Sequence, residues 1–205
     1  MRGWVKTGLA LSLMTASLPA LGQSGGGFGV NHSDGEAFIE AIEKGDNNAA
    51  IPLIEQAGSR VANYKNYKGE TALHVATRKR EVEWVGYLLK KGADPNIGDN
   101  SGDTALIIAS RIGFDEAAQW MVQLGARVDT TNRRGETALI IAVQNRQPRI
   151  VEILLKGGAN PDKGDHAAGL TARDYAKRDT RNPQLIKLIE TVQSTKKQVA
   201  GPKLN

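Results

Sequence analysis

The side chains in this sequence that could do chemistry are its histidines, a set of position-matched arginines and a set of position-matched acids. His32, His74 and His166 are the three histidines, and they are scattered along the chain. A catalytic base or a metal centre needs converging partners, which scatter of this kind does not supply. The stretch Gly98-Asp99-Asn100-Ser101-Gly102-Asp103 superficially resembles a calcium or nucleophile loop. Its in-register counterparts, Thr131–Glu136 and Gly164–Leu170, lack that pattern, and no bidentate glutamate follows at the twelfth place, so an ordinary turn is expected. The glycines of Gln23–Gly29 (QSGGGFG) have no preceding strand and no Gly-Lys-Ser/Thr ending, so they do not make a phosphate loop. There is no cysteine, which excludes disulfides and thiolate metal sites. No catalytic, cofactor or metal residue is predicted, and the chain is expected not to be an enzyme.

The charged residues are more informative because they recur in register. Arg78, Arg111 and Arg178 occupy one position of a repeated unit, with Gln144 in the fourth copy, and Lys79 lies beside Arg78. Glu70, Asp103 and Glu136 occupy another position, near the turns. Matched residues become stripes when units stack. Two readings stay open for the arginines: a basic ridge that recognises a partner, or a solvated face of inter-repeat ion pairs worth about 0–1 kcal/mol each. For the acids the ion-pair reading is preferred. Tyr64 and Tyr67 share the first long turn. They could anchor a partner, as aromatics do at binding hot spots, or staple the first helices to the next unit. Packing is the expected role of Trp84 and Trp120.

The elements that must position these residues are set by a phrase. Gly69-Glu70-Thr71-Ala72-Leu73 returns at Gly102–Leu106 and Gly135–Leu139, and more weakly at Gly169–Ala172, at spacings of 33, 33 and 34 residues. A fixed period of this size marks a solenoid whose units bury their apolar faces against one another. Within Asn66–Asp99, Thr71 can cap a first helix running to about Arg80. Val82, Val85, Leu88 and Leu89 form the apolar stripe of a second helix, and Gly92 ends it in the left-handed conformation. The units Asn100–Asn132 and Arg133–Asp165 repeat these devices, the latter with Pro148 at a helix start.

This pattern resembles the ankyrin-repeat family. The likeness rests on Gly69-Glu70-Thr71-Ala72-Leu73-His74-Val75-Ala76, on Leu88-Leu89 with Gly92-Ala93-Asp94 and Asn96, and on Leu154-Leu155 with Gly158-Ala159-Asn160. It implies an all-α solenoid of about five repeats with extended hairpin-like turns, the terminal repeats degenerate. Here Thr-Ala-Leu replaces the family's Thr-Pro-Leu, and Ile107 and Ile140 stand where the family has histidine. The surviving histidine, His74, is implied to serve structural hydrogen bonds. Family geometry places turn tips and first helices on a concave binding side. Tyr67, Lys68, Arg78, Lys79, Arg111, Arg133, Arg134 and Arg178 are therefore the candidate partner-binding residues.

Composition divides the chain. Residues 1–22 read as a secretory signal: Arg2 and Lys6, an apolar Gly8–Leu18 stretch of 11 residues, and small residues for cleavage between Gly22 and Gln23. Residues 23–33 read as a flexible linker, 34–190 as the repeat domain and 191–205 as a disordered tail. A two-residue expansion between Gly45 and Gly69 is expected near Ser59–Asn63. Pro52 is expected to hold the start of the second helix to about Asn48 or later. The formal charge is +5, and removing residues 1–22 leaves 25 basic against 22 acidic residues. Lys196, Lys197 and Lys203 fall in the last ten positions, so the repeat body is near neutral and nucleic-acid binding is not expected. The expectation is a monomeric, non-enzymatic module that binds a protein in the periplasm of a bacterium or outside the cell, with no membrane association after signal cleavage. A secreted effector acting on a host protein, or an accessory subunit of a periplasmic enzyme, are the alternatives; a hydrolase has no support in the residues.

Overall fold

The computed structural model describes residues 32–199, and the expected signal, its Gly22–Gln23 cleavage site and the glycines of Gln23–Gly29 lie outside that range. Among the described residues the helices are α1 (His32–Lys44), α2 (Asn47–Glu55), α3 (Ala72–Arg78), α4 (Val82–Lys90) and α5 (Ala105–Ile112). They continue as α6 (Asp115–Gln123), α7 (Ala138–Gln144), α8 (Pro148–Lys156), α9 (Ala172–Arg178) and α10 (Pro183–Val199). They form five pairs, each closed by a short turn. The first helices, α1, α3, α5, α7 and α9, stack in one row; α4, α6, α8 and α10 stack in a second. The fold is an all-α solenoid of the ankyrin type.

The sequence dictates this packing through small residues on the first row. Ala72, Ala76, Ala105, Ala109, Ala138, Ala142, Ala172 and Ala176 are all buried. Without bulk at those places adjacent helices approach closely. Leu73, Leu106 and Leu139 then reach the shared core, where they are 1%, 2% and 0% exposed. Burying each is worth about 1.5–3 kcal/mol. Ile107 and Ile140, in the histidine position, are fully buried and add to the same core. Thr104 and Thr137 cap α5 and α7 by accepting from the backbone N–H of Ile107 and Ile140. Thr171 forms a capping box with Asp174, as the spacing predicts.

Four boundaries differ from the sequence-based expectation. The first helix of the second pair stops at Arg78, not Arg80, because Arg80 adopts a left-handed backbone (φ 59°). α2 begins at Asn47, one residue early, because the Asp46 carboxylate accepts from the Ala49 N–H (3.1 Å) and nucleates the turn. α1 starts at His32, inside the segment expected as linker. α10 continues to Val199, past the expected domain limit at 190. The two-residue expansion is accommodated by a 3-10 helix at Val61–Asn63, whose Val61 and Ala62 are buried against α1, α2 and α3. Among the described residues, no helix is long and apolar enough to cross a membrane.

Candidate functional site: the turn face

Each extended turn is organised by one Asn or Asp at a spacing of 33 residues: Asn66, Asp99, Asn132 and Asp165. The Asn66 Oδ1 accepts from the N–H groups of Lys68 and Glu70, both at 2.9 Å. Asp99 does the same for Ser101 and Asp103, and Asn132 for Arg134 and Glu136. These side chains satisfy backbone donors that a tight turn would otherwise leave unpaired. Neighbouring turns are then joined through the main chain. Asn100 N–H donates to Lys68 O, Arg133 N–H to Ser101 O, and His166 N–H to Arg134 O, each at 2.9 Å. The exposed tips Tyr67–Lys68, Asn100–Ser101, Arg133–Arg134 and His166–Ala167 therefore stand side by side on a hydrogen-bonded frame.

Behind the tips, the arginines and the acids meet. Arg78 pairs with Glu70, and Arg111 with Asp103 at 2.7 Å. Both pairs lie within one repeat, eight residues apart, rather than between repeats. Glu70 and Asp103 are 5% and 7% exposed. Burial opposes the ionisation of each carboxyl. Hydrogen bonds from Arg78 and Asn66 to Glu70, and from Arg111 and Asn132 to Asp103, more than offset it and hold both below their ordinary values. Where Gln144 replaces the arginine, Glu136 takes Arg134 instead (2.8 Å). In the last turn, Asp165 accepts from the Tyr175 hydroxyl (2.6 Å). Arg78 and Arg111 are thus braces for buried acids, with only their outer edges available to a partner.

Of the other predicted residues, Lys79 leaves the ridge. Its ammonium donates to Ile42 O at the end of α1 (3.0 Å) and pairs with Glu81 (2.5 Å), tying the first two repeats together. Arg178 is exposed and lines a separate hollow of about 310 Å³ with Arg146 and Arg181. Arg133 and Arg134 are exposed and, with Arg111, line a shallow hollow of about 450 Å³ that also includes Asn100, Ser101, Asp103 and Asn132. The two tyrosines divide. Tyr64 is a staple, its ring half-buried and its hydroxyl donating to Glu36 of α1 (3.2 Å). Tyr67 is 80% exposed, with the Lys68 ammonium 5.4 Å from its ring centre.

Two features escaped sequence reasoning. Arg80 and Arg146 hold positive φ where Gly45 and Gly113 stand in the alternate repeats, and each reaches into the next repeat. Arg80 donates to Ile112 O (2.8 Å), and Arg146 grips Asp179 (2.6 Å). A second ladder, Asn63, Asn96 and Asp129, accepts the N–H of Asp94, Arg127 and Asn160 one repeat on, at 2.7–2.9 Å. Its spacing of 33 was visible in the sequence. Trp120 lies over Gly86 but is 36% exposed, while Trp84 packs edge-on against Phe38 and Tyr87.

His74 is 1% exposed. Its Nδ1 accepts from Thr71 N–H (3.1 Å), and its Nε2–H donates to Asp103 O in the next repeat (3.0 Å). Burial pushes its pKa down. Among the described residues no group of three metal-ligating side chains converges.

A row of helix pairs with projecting, cross-linked turns defines a helical-repeat display scaffold. Two family models described as ankyrin repeats match residues 87–165 and 53–109, together more than half of the 205 residues. The chain belongs to the ankyrin-repeat family. It is 49% identical over 35 residues to BRCA1-associated RING domain protein 1 of Homo sapiens, which covers 17% of this chain and 4% of that protein. It is 38% identical over 65 residues to BTB/POZ domain and ankyrin repeat-containing protein NPR1 of Oryza sativa subsp. indica, covering 32% of this chain and 11% of that one. The chain thus spans a small fraction of the length of these relatives.

Proposed function

We propose that this chain is an exported, non-enzymatic module that holds a protein partner on its turn face. Ankyrin repeats imply protein–protein interaction, and the observation that favours the turn face is its frame. Main-chain bonds fix four exposed tips in one row, so a partner meets donors already in place and little conformational entropy is lost on binding. Export to the periplasm or beyond is supported by the composition of residues 1–22, with their basic start and 11-residue apolar stretch.

The test is capture of partners from the source cells with the full chain carrying a C-terminal tag, beside a Tyr67→Ala/Arg133→Glu variant. Among the described residues these two side chains make no hydrogen bond or ion pair, whereas reversing Arg78 or Arg111 would strand a buried acid. Partners identified by mass spectrometry should be lost from the variant while its circular dichroism is unchanged. Equal recovery would remove the turn face from the account. Cell fractionation of the same strain reads the location separately.

A further inference from the structure

Resting on that reading of the turn face, we infer that its partner segment is an extended acidic peptide, with an apolar or aromatic side chain set against Tyr67 and a carboxylate against Arg133. The acids behind the tips are already spoken for. Glu70 and Asp103 are buried and paired with Arg78 and Arg111. Glu136 is held by Arg134 and Asn132. The accessible charge on this face is therefore positive, although the face as a whole is close to balanced.

Arg133 is the centre of that surplus. Its guanidinium makes no hydrogen bond or ion pair among the described residues, and Arg133 lines the 450 Å³ hollow together with Ser101 and Arg134. A planar five-donor fork matches a carboxylate's two oxygens. Arg134 adds a second cation whose side chain is 68% exposed despite its bond to Glu136. Two repeats away, Tyr67 offers an uncovered ring flanked by the Lys68 ammonium. It is the one large aromatic among the exposed tip residues Tyr67–Lys68, Asn100–Ser101, Arg133–Arg134 and His166–Ala167.

The frame sets the spacing. Packed helices lie about 8–10 Å apart, so two repeats span roughly 16–20 Å. An extended strand rises about 3.3 Å per residue. The apolar and acidic anchors of the bound segment should then be about five to six residues apart.

The probes are fluorescein-labelled twelve-residue peptides, each with one Trp and one Glu pair separated by two, six or ten residues. Anisotropy titrations against the full chain should show tightest binding at the six-residue separation. Arg133→Glu should weaken that binding at least tenfold. Tyr67→Ala should weaken it about fivefold and erase the preference for separation. Arg149→Glu, at an exposed arginine on α8 that pairs with Asp115 and lines a hollow containing none of the tip residues, should change it less than twofold. Absence of binding by all three peptides, equal binding at every separation, or full binding by Arg133→Glu would each overturn the inference. Binding that requires phosphoserine in place of Glu would overturn the carboxylate assignment. If these peptides fail while partner capture still depends on Tyr67 and Arg133, the turn face stands and only the peptide chemistry falls.

Discussion

At the scale of single residues, His74 carries the most information per atom. Its Nδ1 must accept the Thr71 N–H, and its Nε2 must carry the proton given to Asp103 O, so only the neutral ring fits. With its folded pKa below the ordinary value of about 6.5, the unfolded chain binds more protons just under that pH. Stability therefore falls as the solution is acidified from about pH 7, and is regained as pH rises. Replacing His74 with Ile, the residue at the matching positions 107 and 140, removes that sensitivity. At pH 7, His74→Ile should cost about 1 kcal/mol, because the buried Thr71 N–H loses its acceptor while Asp103 O keeps the Asp99 N–H. At pH 5.5 the gap to the wild type should narrow or reverse. Urea denaturation at the two pH values measures it, and a gap that widens on acidification would contradict a neutral buried ring. That His74 is structural was legible from the repeat. The bracing role of Arg78 and Arg111 was legible only as one of two readings. Their acids lie eight residues back across a helix start, where helical spacing rules give no contact.

The turns are the elements that sequence reading located but did not explain. Glycine at 69, 102 and 135 marks where the chain must turn, and all three have positive φ. At Gly135 a Cβ would also fall about 2.5 Å from His166, so alanine there is doubly excluded. The phrase itself does not show that Asn132 is the hub. Its Oδ1 accepts two backbone N–H groups, and its Nδ2 donates to Asp103 of the previous repeat and to Glu136, both at 2.9 Å. Asn132→Ala should therefore cost about 2–4 kcal/mol, since buried charged acceptors and backbone donors lose partners together. Asn100→Ala, at an exposed tip where the side chain gives one bond to Tyr67 O, should cost about 1 kcal/mol or less. Thermal unfolding of the two variants side by side checks the contrast, and equal losses would show that the turn is held by its main chain alone. Arg80 and Arg146 explain why one helix end was misplaced. A positive φ at arginine runs against local preference by about 1–2 kcal/mol. It is repaid by bonds to the following repeat that no local pattern encodes.

For the molecule as a whole, the governing fact is that each repeat touches only its neighbours, so stability is a sum of repeat and interface contributions. α5 packs on α3 and α7, while α10 packs on α8 and α9. Leu106→Ala in α5 opens a cavity shared by two interfaces, and Leu185→Ala in α10 opens one at the end of the stack; both side chains are at most 2% exposed. Each should lose about 2–5 kcal/mol locally, but the consequences differ with position. After Leu106→Ala, native-state hydrogen exchange should quicken in α3 through α8, because the centre links the two halves. After Leu185→Ala, it should quicken in α9 and α10, while α3 to α6 keep their wild-type protection. Loss of protection spread evenly over every helix in the terminal variant would mean one cooperative unit rather than a row of coupled ones. The distinction bears on binding. The tips Tyr67 and Arg133 sit two repeats apart, on the turns before α3 and α7 and away from the terminal pair α9 and α10. Fraying at α9 and α10 would leave their spacing fixed. A central defect such as Leu106→Ala, lying between them, should weaken any ligand that spans both tips even though it touches neither.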